Sequence, residues 1–263
     1  MKQFAVFVDS LGGINTFSWH LDNPVTGEDA WKTGDNTIVK KTLPNGPYHE
    51  VYTQWLDRIA AFFLELKDTD GNSINVIFRP FHEHTGSWFW WGDKWCTADE
   101  YIQLWKFTHD YLTKEKHLTN LIFAYSPAGD FKDETEYLKK YPGDAYVDII
   151  GFDMYQNEKE SNADFSSELK KQLNVLNAIA GRHHKIAALT EIGYEQIPYK
   201  TWWTEVFLPA VEGSGISYAL FWRNAANRPN HYYLPYPGQK SETDFKKLAT
   251  ESNILFLGKL KKK

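Results

Sequence analysis

Six short runs, nearly continuous in apolar and β-branched residues, recur along the chain, and each turns polar at its C-terminal end. They are GGINTFSWH (12–20), INVIFRPFHE (74–83), NLIFAYSP (120–127), YVDIIGFDMY (146–155), KIAALTEIG (185–193) and ISYALFWRN (216–224). A strand with one wet face alternates polar and apolar residues, whereas a continuous apolar run marks a strand covered on both faces, as in a parallel sheet. Segments of helical period separate the runs. YHEVYTQWLDRIAAFFLELKD carries Tyr52, Trp55, Leu56, Ile59 and Phe63 three and four residues apart. ADEYIQLWKFTHDYL does the same with Tyr101, Leu104, Trp105 and Thr108, and DFSSELKKQLNVLNAIAG with Leu169, Leu173, Leu176 and Ile179. TWWTEVFLPAVEG (201–213), interrupted by Pro209, and SETDFKKLATES (241–252) also read as helices. Strand followed by helix, repeated, predicts an α/β fold with right-handed crossovers.

No G-x-G-x-x-G or G-x-x-x-x-G-K-[ST] follows any of the runs, which removes support for the nucleotide-binding versions of this plan. Polar residues at the ends of several different strands favour a (β/α)8 TIM barrel, whose sites lie on its C-terminal face. The 263 residues contain no Ser/Gly linker, low-complexity block or repeat, so one catalytic barrel domain over 1–263 is expected, with Lys261–Lys263 as a frayed tail. A net charge of −5 offers no basic patch for phosphates, and no stretch reaches the roughly 18 apolar residues of a membrane helix. Nucleic acid and membrane are therefore not expected partners. Cys96 is the single cysteine, so no internal disulfide can form, and the opening MKQFAVFVDSLGG has neither the apolar length nor the cleavage site of a secretory signal.

The stretch RPFHEHTGSWFWW (79–91) brings an arginine, two histidines and a glutamate next to large aromatics, in a chain that is 16% aromatic with 11 Trp. Aromatics beyond the needs of a core suit stacking on a flat neutral ligand such as a sugar ring. Glu83 and Glu191 both stand at strand ends, 191 − 83 = 108 residues apart. Two carboxylates meeting at a barrel mouth are what glycosidic cleavage requires: one protonates the leaving oxygen and the other attacks the anomeric carbon. A lone glutamate at a strand end is more often a structural ion pair, but here His82 and His84 flank Glu83, Trp88 follows, and Tyr155 and Trp222-Arg223 end later strands.

GGINTFSWHLDNPVTG (12–27), RPFHEHTGSWFWWG (79–92), YPGDAYVDIIGFDMY (141–155), LTEIGY (189–194) and FWRNA (221–225) together resemble glycoside hydrolase family 26, over nearly the whole chain. The resemblance implies a (β/α)8 barrel and, for most members, endo-β-1,4-mannanase activity by a retaining double displacement on mannan, glucomannan or galactomannan. It implies Glu83 as general acid/base and Glu191 as nucleophile. His20, His82, Trp88, Tyr155, Trp222 and Arg223 match positions lining the sugar sites nearest the scissile bond. No metal and no cofactor is expected, and the full-length protein is expected to be a secreted or cell-surface monomer. The same family also covers mixed-linkage β-glucan and β-1,3-xylan, so a lichenase or β-1,3-xylanase is the alternative substrate reading.

Physical roles can be attached to these residues. An aromatic wall at Trp88 would raise the Glu83 pKa by desolvation, and the Tyr155 hydroxyl would hold Glu191 for attack. The Trp222 indole would cover a pyranose face while Arg223 offers a donor fork to hydroxyls. His20 and His82 would exchange hydrogen bonds with sugar oxygens, and Phe89, Trp90 and Trp91 are assigned to packing. Two readings from other classes compete. His20, His82 and His84 could form a three-His zinc site, with His82 and His84 on one face of an extended strand. The aromatics could instead serve a noncatalytic carbohydrate-binding protein.

Strand counting adds one expectation. The resemblance implies that the acid/base ends the fourth strand and the nucleophile the seventh, and the internal count agrees. Only GGINTFSWH precedes the strand of Glu83, so six of eight strands are visible. Strands one and two are expected upstream of Met1, with MKQFAVFVDSL as the tail of the second helix.

Overall fold

The computed structural model describes residues 1–257. The expected Lys261–Lys263 tail lies outside them. Six parallel strands follow one another in chain order across a single sheet: β1 Asn15–Trp19, β2 Val76–Pro80, β3 Leu121–Tyr125, β4 Ile149–Gln156, β5 Ile186–Tyr194 and β6 Ala219–Phe221. β1, β2, β3 and β6 fall inside their apolar runs, and β4 and β5 overrun theirs by one residue, to Gln156 and Tyr194. Every pairing is parallel and joins consecutive strands, giving a half-barrel with β1 and β6 at its two edges.

The helices are α1 Lys2–Ser10, α2 Ile38–Thr42, α3 His49–Leu64, α4 Ala98–Asp110, α5 Glu134–Tyr137, α6 Asn162–His183, α7 Leu208–Val211 and α8 Glu242–Leu248. α3 buries Tyr52, Leu56, Ala60 and Phe63, one stripe along its length, while Trp55 and Ile59 are half-buried beside it. α4 buries Tyr101, Leu104, Trp105 and Thr108, and starts at a capping box in which the Thr97 hydroxyl accepts from the Glu100 N–H and the Glu100 carboxylate accepts from the Thr97 N–H. A π-helical turn, Tyr111–Glu115, continues it. α6 buries Leu169, Leu173, Leu176 and Ile179, with Ser161 capping its start. Pro209 sits at the junction where a π-helical turn at Trp203–Phe207 passes into α7, the kind of local widening that accommodates a residue without an N–H inside a helix. No helix among the described residues is long and apolar enough to cross a membrane.

Two apolar layers sandwich the sheet. The larger lies between strands and helices and takes Val76, Phe78, Phe123, Ile150, Phe152 and Leu189. The smaller lines the concave side with Ile77, Ala124, Ile149 and Ala188. Two residues on from Ile77, Ala124 and Ala188, and four on from Ile149, that concave layer becomes polar: Arg79, Ser126, Thr190 and Asp153, all buried. This is the physical meaning of runs that end polar, since the period of two carries each strand from a greasy layer to a wet one on the same face. β5 then breaks its own period. Phe152 opposes Leu189 but Asp153 opposes Glu191, so one residue of β5 is skipped. The bulge lets both Thr190 and Glu191 face the concave side before Ile192 returns to the helix-side core.

Candidate active site

Glu83 was expected to end its strand, and the structure corrects this: β2 stops at Pro80 and Glu83 lies in the turn that follows. Phe81 and Glu83 both have left-handed backbones, with φ of 50° and 52°. For non-glycine residues that conformation costs about 1–2 kcal/mol apiece, so the surroundings must impose it. They do so through the main chain. The Glu83 N–H donates to the Ser126 carbonyl at 2.7 Å, Trp91 Nε1 donates to the His82 carbonyl at 2.8 Å, and the Tyr101 hydroxyl donates to the Phe81 carbonyl at 2.9 Å.

Glu191 enters from β5 and is held from two sides. Arg79 donates to Oε1, and the Tyr155 hydroxyl, on β4, donates to Oε2 at 2.5 Å, the contact expected from the sequence. Asp153, on β4, receives Arg79 at 2.6 Å, Ser126 at 2.7 Å and Thr190 at 2.8 Å. One carboxylate oxygen from each of Glu83, Asp153 and Glu191 lies within 4.8 Å of the others. Crowded carboxylates cannot all ionise cheaply. Glu83 absorbs the conflict: burial first, and then the Asp153 charge, push its pKa up to about 7, against the opposing pull of the Trp88 hydrogen bond and Arg79. Burial also holds Asp153 above the usual carboxylate range, opposed by Arg79 and the two hydroxyls.

Trp88 was expected to raise the Glu83 pKa as a dry wall. Instead it is 44% exposed and its Nε1 donates to Glu83 Oε2 at 2.8 Å, which favours the ionised form. Gly86 makes room for this indole, since a Cβ there would fall 2.2 Å from a ring carbon. Trp90 and Trp91 are fully buried and Phe89 nearly so, matching their assignment to packing, although Phe89 also shows an edge to the cavity.

A cavity of about 210 Å³ is lined by Glu83, Glu191, His20, His82, Trp88, Tyr155 and Trp222, joined by Trp31, Phe89 and Tyr233. His20 and His82 meet at 4.6 Å between ring centres. Burial first, then Arg79 and Arg223, lower His20 to about 4, and burial with Arg79 takes His82 well below its ordinary value, so both rings are neutral near pH 7. Arg223 is exposed and stands outside the lining, with its guanidinium 5.8 Å above the Trp222 ring. Beyond Glu83, a second hollow of about 440 Å³ runs along Trp88, Gly129, Asp130, Tyr155, Asn157 and Glu160.

The three-His zinc grouping does not form. His82 packs against His20 and Phe89, whereas His84 is turned into the wall between Tyr101 and Tyr125. The left-handed Glu83 between them breaks the shared strand face that the zinc reading needed.

Sequence reasoning passed over Arg79, Asp153, Trp31 and Tyr233. The first two carried a usable signal, as charges inside otherwise apolar strand runs that must be paired when buried. Trp31 and Tyr233 come from loops and carried none.

The sequence profile described as Glycosyl hydrolase family 26 matches residues 3–230. A mannan endo-1,4-beta-mannosidase of Bifidobacterium adolescentis is 36% identical over 95% of this chain. The chain spans 26% of that relative's length. Among solved structures, a GH26 beta-mannanase from Bacteroides ovatus superposes with a TM-score of 0.94 at 42% identity, covering 98% of this chain and 74% of the other. The catalytic domain of a Bacillus sp. JAMB-750 GH26 endo-beta-1,4-mannanase gives 0.92 at 38% identity, covering 98% and 71%.

Proposed function

From the chain's membership of glycosyl hydrolase family 26, we propose that its cleft cleaves β-1,4-mannan internally with retention of anomeric configuration. The observation that carries this reading is the pair of carboxyl groups. Their oxygens approach within 4.8 Å, close to the roughly 5 Å of a retaining site and too close for an interposed water. Their environments also differ in the required sense, with Glu83 pushed up to about 7 and Glu191 facing two donors.

In the first step a Glu191 oxygen forms a bond to the anomeric carbon as the glycosidic bond breaks, and the Glu83 proton passes to the departing oxygen. In the second, Glu83, now a carboxylate, takes a proton from water, whose oxygen attacks the same carbon and releases Glu191. His20, His82, Trp31, Trp222 and Tyr233 would surround the sugar being transferred, and the hollow beyond Glu83 would take the departing portion. The names of the relatives support mannan as the polymer, and such a polymer is too large to enter a cell, so the work would be done outside it or at its surface. Among the described residues no strand pairs with the outer edge of β1 or β6, which supports reading the sheet as six strands of a (β/α)8 barrel.

NMR of the first product formed from mannohexaose tests the proposal. The β-anomer should appear first and mutarotate later, whereas an initial α-anomer would assign inversion. Parallel digestion of linear mannan, glucomannan, lichenan and β-1,3-xylan should show the fastest release from mannan.

A further inference from the structure

His84 follows the glutamate that faces the cavity, yet it points the other way and is 1% exposed. Both its nitrogens are engaged by tyrosines: Tyr101 Oη lies 3.0 Å from Nδ1 and Tyr125 Oη lies 2.9 Å from Nε2. The three rings pack together, with His84 centred 4.5 Å from Tyr101 and 4.8 Å from Tyr125. Burial, and after it the Lys140 charge, hold the imidazole well below its ordinary pKa, so it is neutral, with one donor and one acceptor. Tyr125 Oη also lies 3.1 Å from the Tyr137 carbonyl, and Tyr101 donates to the Phe81 carbonyl, so His84 joins the two hydroxyls into a hydrogen-bonded chain in either tautomer: from Nδ1 it donates to Tyr101 and receives from Tyr125, and from Nε2 it donates to Tyr125, which then donates to the Tyr137 carbonyl. The Phe81 carbonyl belongs to the first of the two left-handed residues. The chain therefore runs from β3, which carries Tyr125, through α4, which carries Tyr101, into the backbone that sets the direction of the Glu83 side chain.

We propose that His84, working through Tyr101 and Tyr125, is a positioning residue that locks the Phe81–Glu83 turn and so aims the Glu83 carboxyl at the departing oxygen. The proposal rests on the reading of Glu83 as proton donor. A carboxyl aimed wrongly penalises a leaving group that needs its proton and spares one that departs as a stable anion.

The test compares mannotetraose with 2,4-dinitrophenyl β-mannobioside for wild type, His84→Phe, His84→Asn, Tyr101→Phe and Glu83→Ala. His84→Phe should lower kcat/KM on mannotetraose on the order of 100-fold, mainly in kcat, and lower it less than about fivefold on the aryl glycoside. His84→Asn, which keeps a polar atom near the Nδ1 position, should recover part of the loss, and Tyr101→Phe should repeat the leaving-group pattern more weakly. Equal losses on both substrates from a folded His84→Phe enzyme, or no loss at all, would overturn the proposal by reducing His84 to packing or to irrelevance. Where His84→Phe does not fold, Tyr101→Phe decides by the same criterion. Glu83→Ala separates the two levels. If it too loses equally on both substrates, the acid assignment fails first and the proposal falls with it. If it spares the aryl glycoside while the His84 and Tyr101 variants do not, only the positioning role is lost.

Discussion

At Glu83 two neighbours pull the carboxyl in opposite directions, and each can be removed separately. The Asp153 charge raises its pKa, so Asp153→Asn removes that repulsion, leaves the Arg79 cation less compensated, and should move the alkaline limb of kcat/KM from about 7 to lower pH. The Trp88 hydrogen bond lowers the same pKa, so Trp88→Phe should move the limb upward. Gly86→Ala should do likewise by displacing the indole. Shifts of the same sign in Asp153→Asn and Trp88→Phe would show that another group sets the limb. In wild type the acid must be protonated, so activity should fall as pH rises through about 7. Glu191→Ala should lose turnover on every substrate, since no other group replaces the attacking oxygen. Trp91 differs from these. It is fully buried and bonded to the His82 carbonyl, so Trp91→Ala should destabilise the fold by about 3–5 kcal/mol, read by denaturant unfolding. The two glutamates were legible because glycosidic cleavage needs a pair of carboxylates near the C-terminal ends of strands, and most of the other cavity residues through the family resemblance. The direction of the Trp88 effect was not, because whether an indole dries a carboxyl or donates to it depends on a few ångströms that no spacing encodes.

Among the elements, the six strands and the long helices were legible because burial on both faces and a stripe along a helix leave different periods in the sequence. What escaped were the places where tertiary contacts override the local period. The turn at Phe81–Glu83 uses left-handed backbones with no glycine to announce them, so the run INVIFRPFHE reads as strand three residues past its end at Pro80. The bulge at Thr190 changes which residues of β5 face inward, and Ala-Leu-Thr-Glu-Ile contains nothing that marks the skip. α4 bears on the site through Tyr101, so its stability can be tested apart from its chemistry. Thr97→Ala removes one half of the capping box and should cost about 1 kcal/mol, a fall in Tm of roughly 2–4 °C, with kcat unchanged. A drop in kcat at a temperature where the variant is fully folded would mean that the helix start also tunes the site.

For the whole molecule, the notable surface is at the open side of the arc. Met1, Phe4, Phe7, Leu11 and Ile14 are exposed around α1 and the approach to β1, and Leu255 and Leu257 are exposed near the other terminus. With the outer edges of β1 and β6 unpaired among the described residues, this is a surface that proteins avoid showing to water. The chain should associate as its concentration rises, and Phe4→Lys with Phe7→Lys should reduce that association in light scattering without altering kcat per folded molecule. Retained monodispersity of the wild-type chain at high concentration would count against it. Strand order equal to chain order has a kinetic consequence. Every strand pair joins neighbours in sequence, so the sheet can grow by accretion, each strand docking on the one before it without waiting for a distant partner. The wall behind Glu83 needs only β2, β3 and α4, whereas the hold on Glu191 needs β4 and β5 as well. During folding, or during partial unfolding from the β6 side, the proton donor would be in place while the nucleophile was still unanchored. Recovery of catalysis should therefore lag behind recovery of the buried tryptophans around β2.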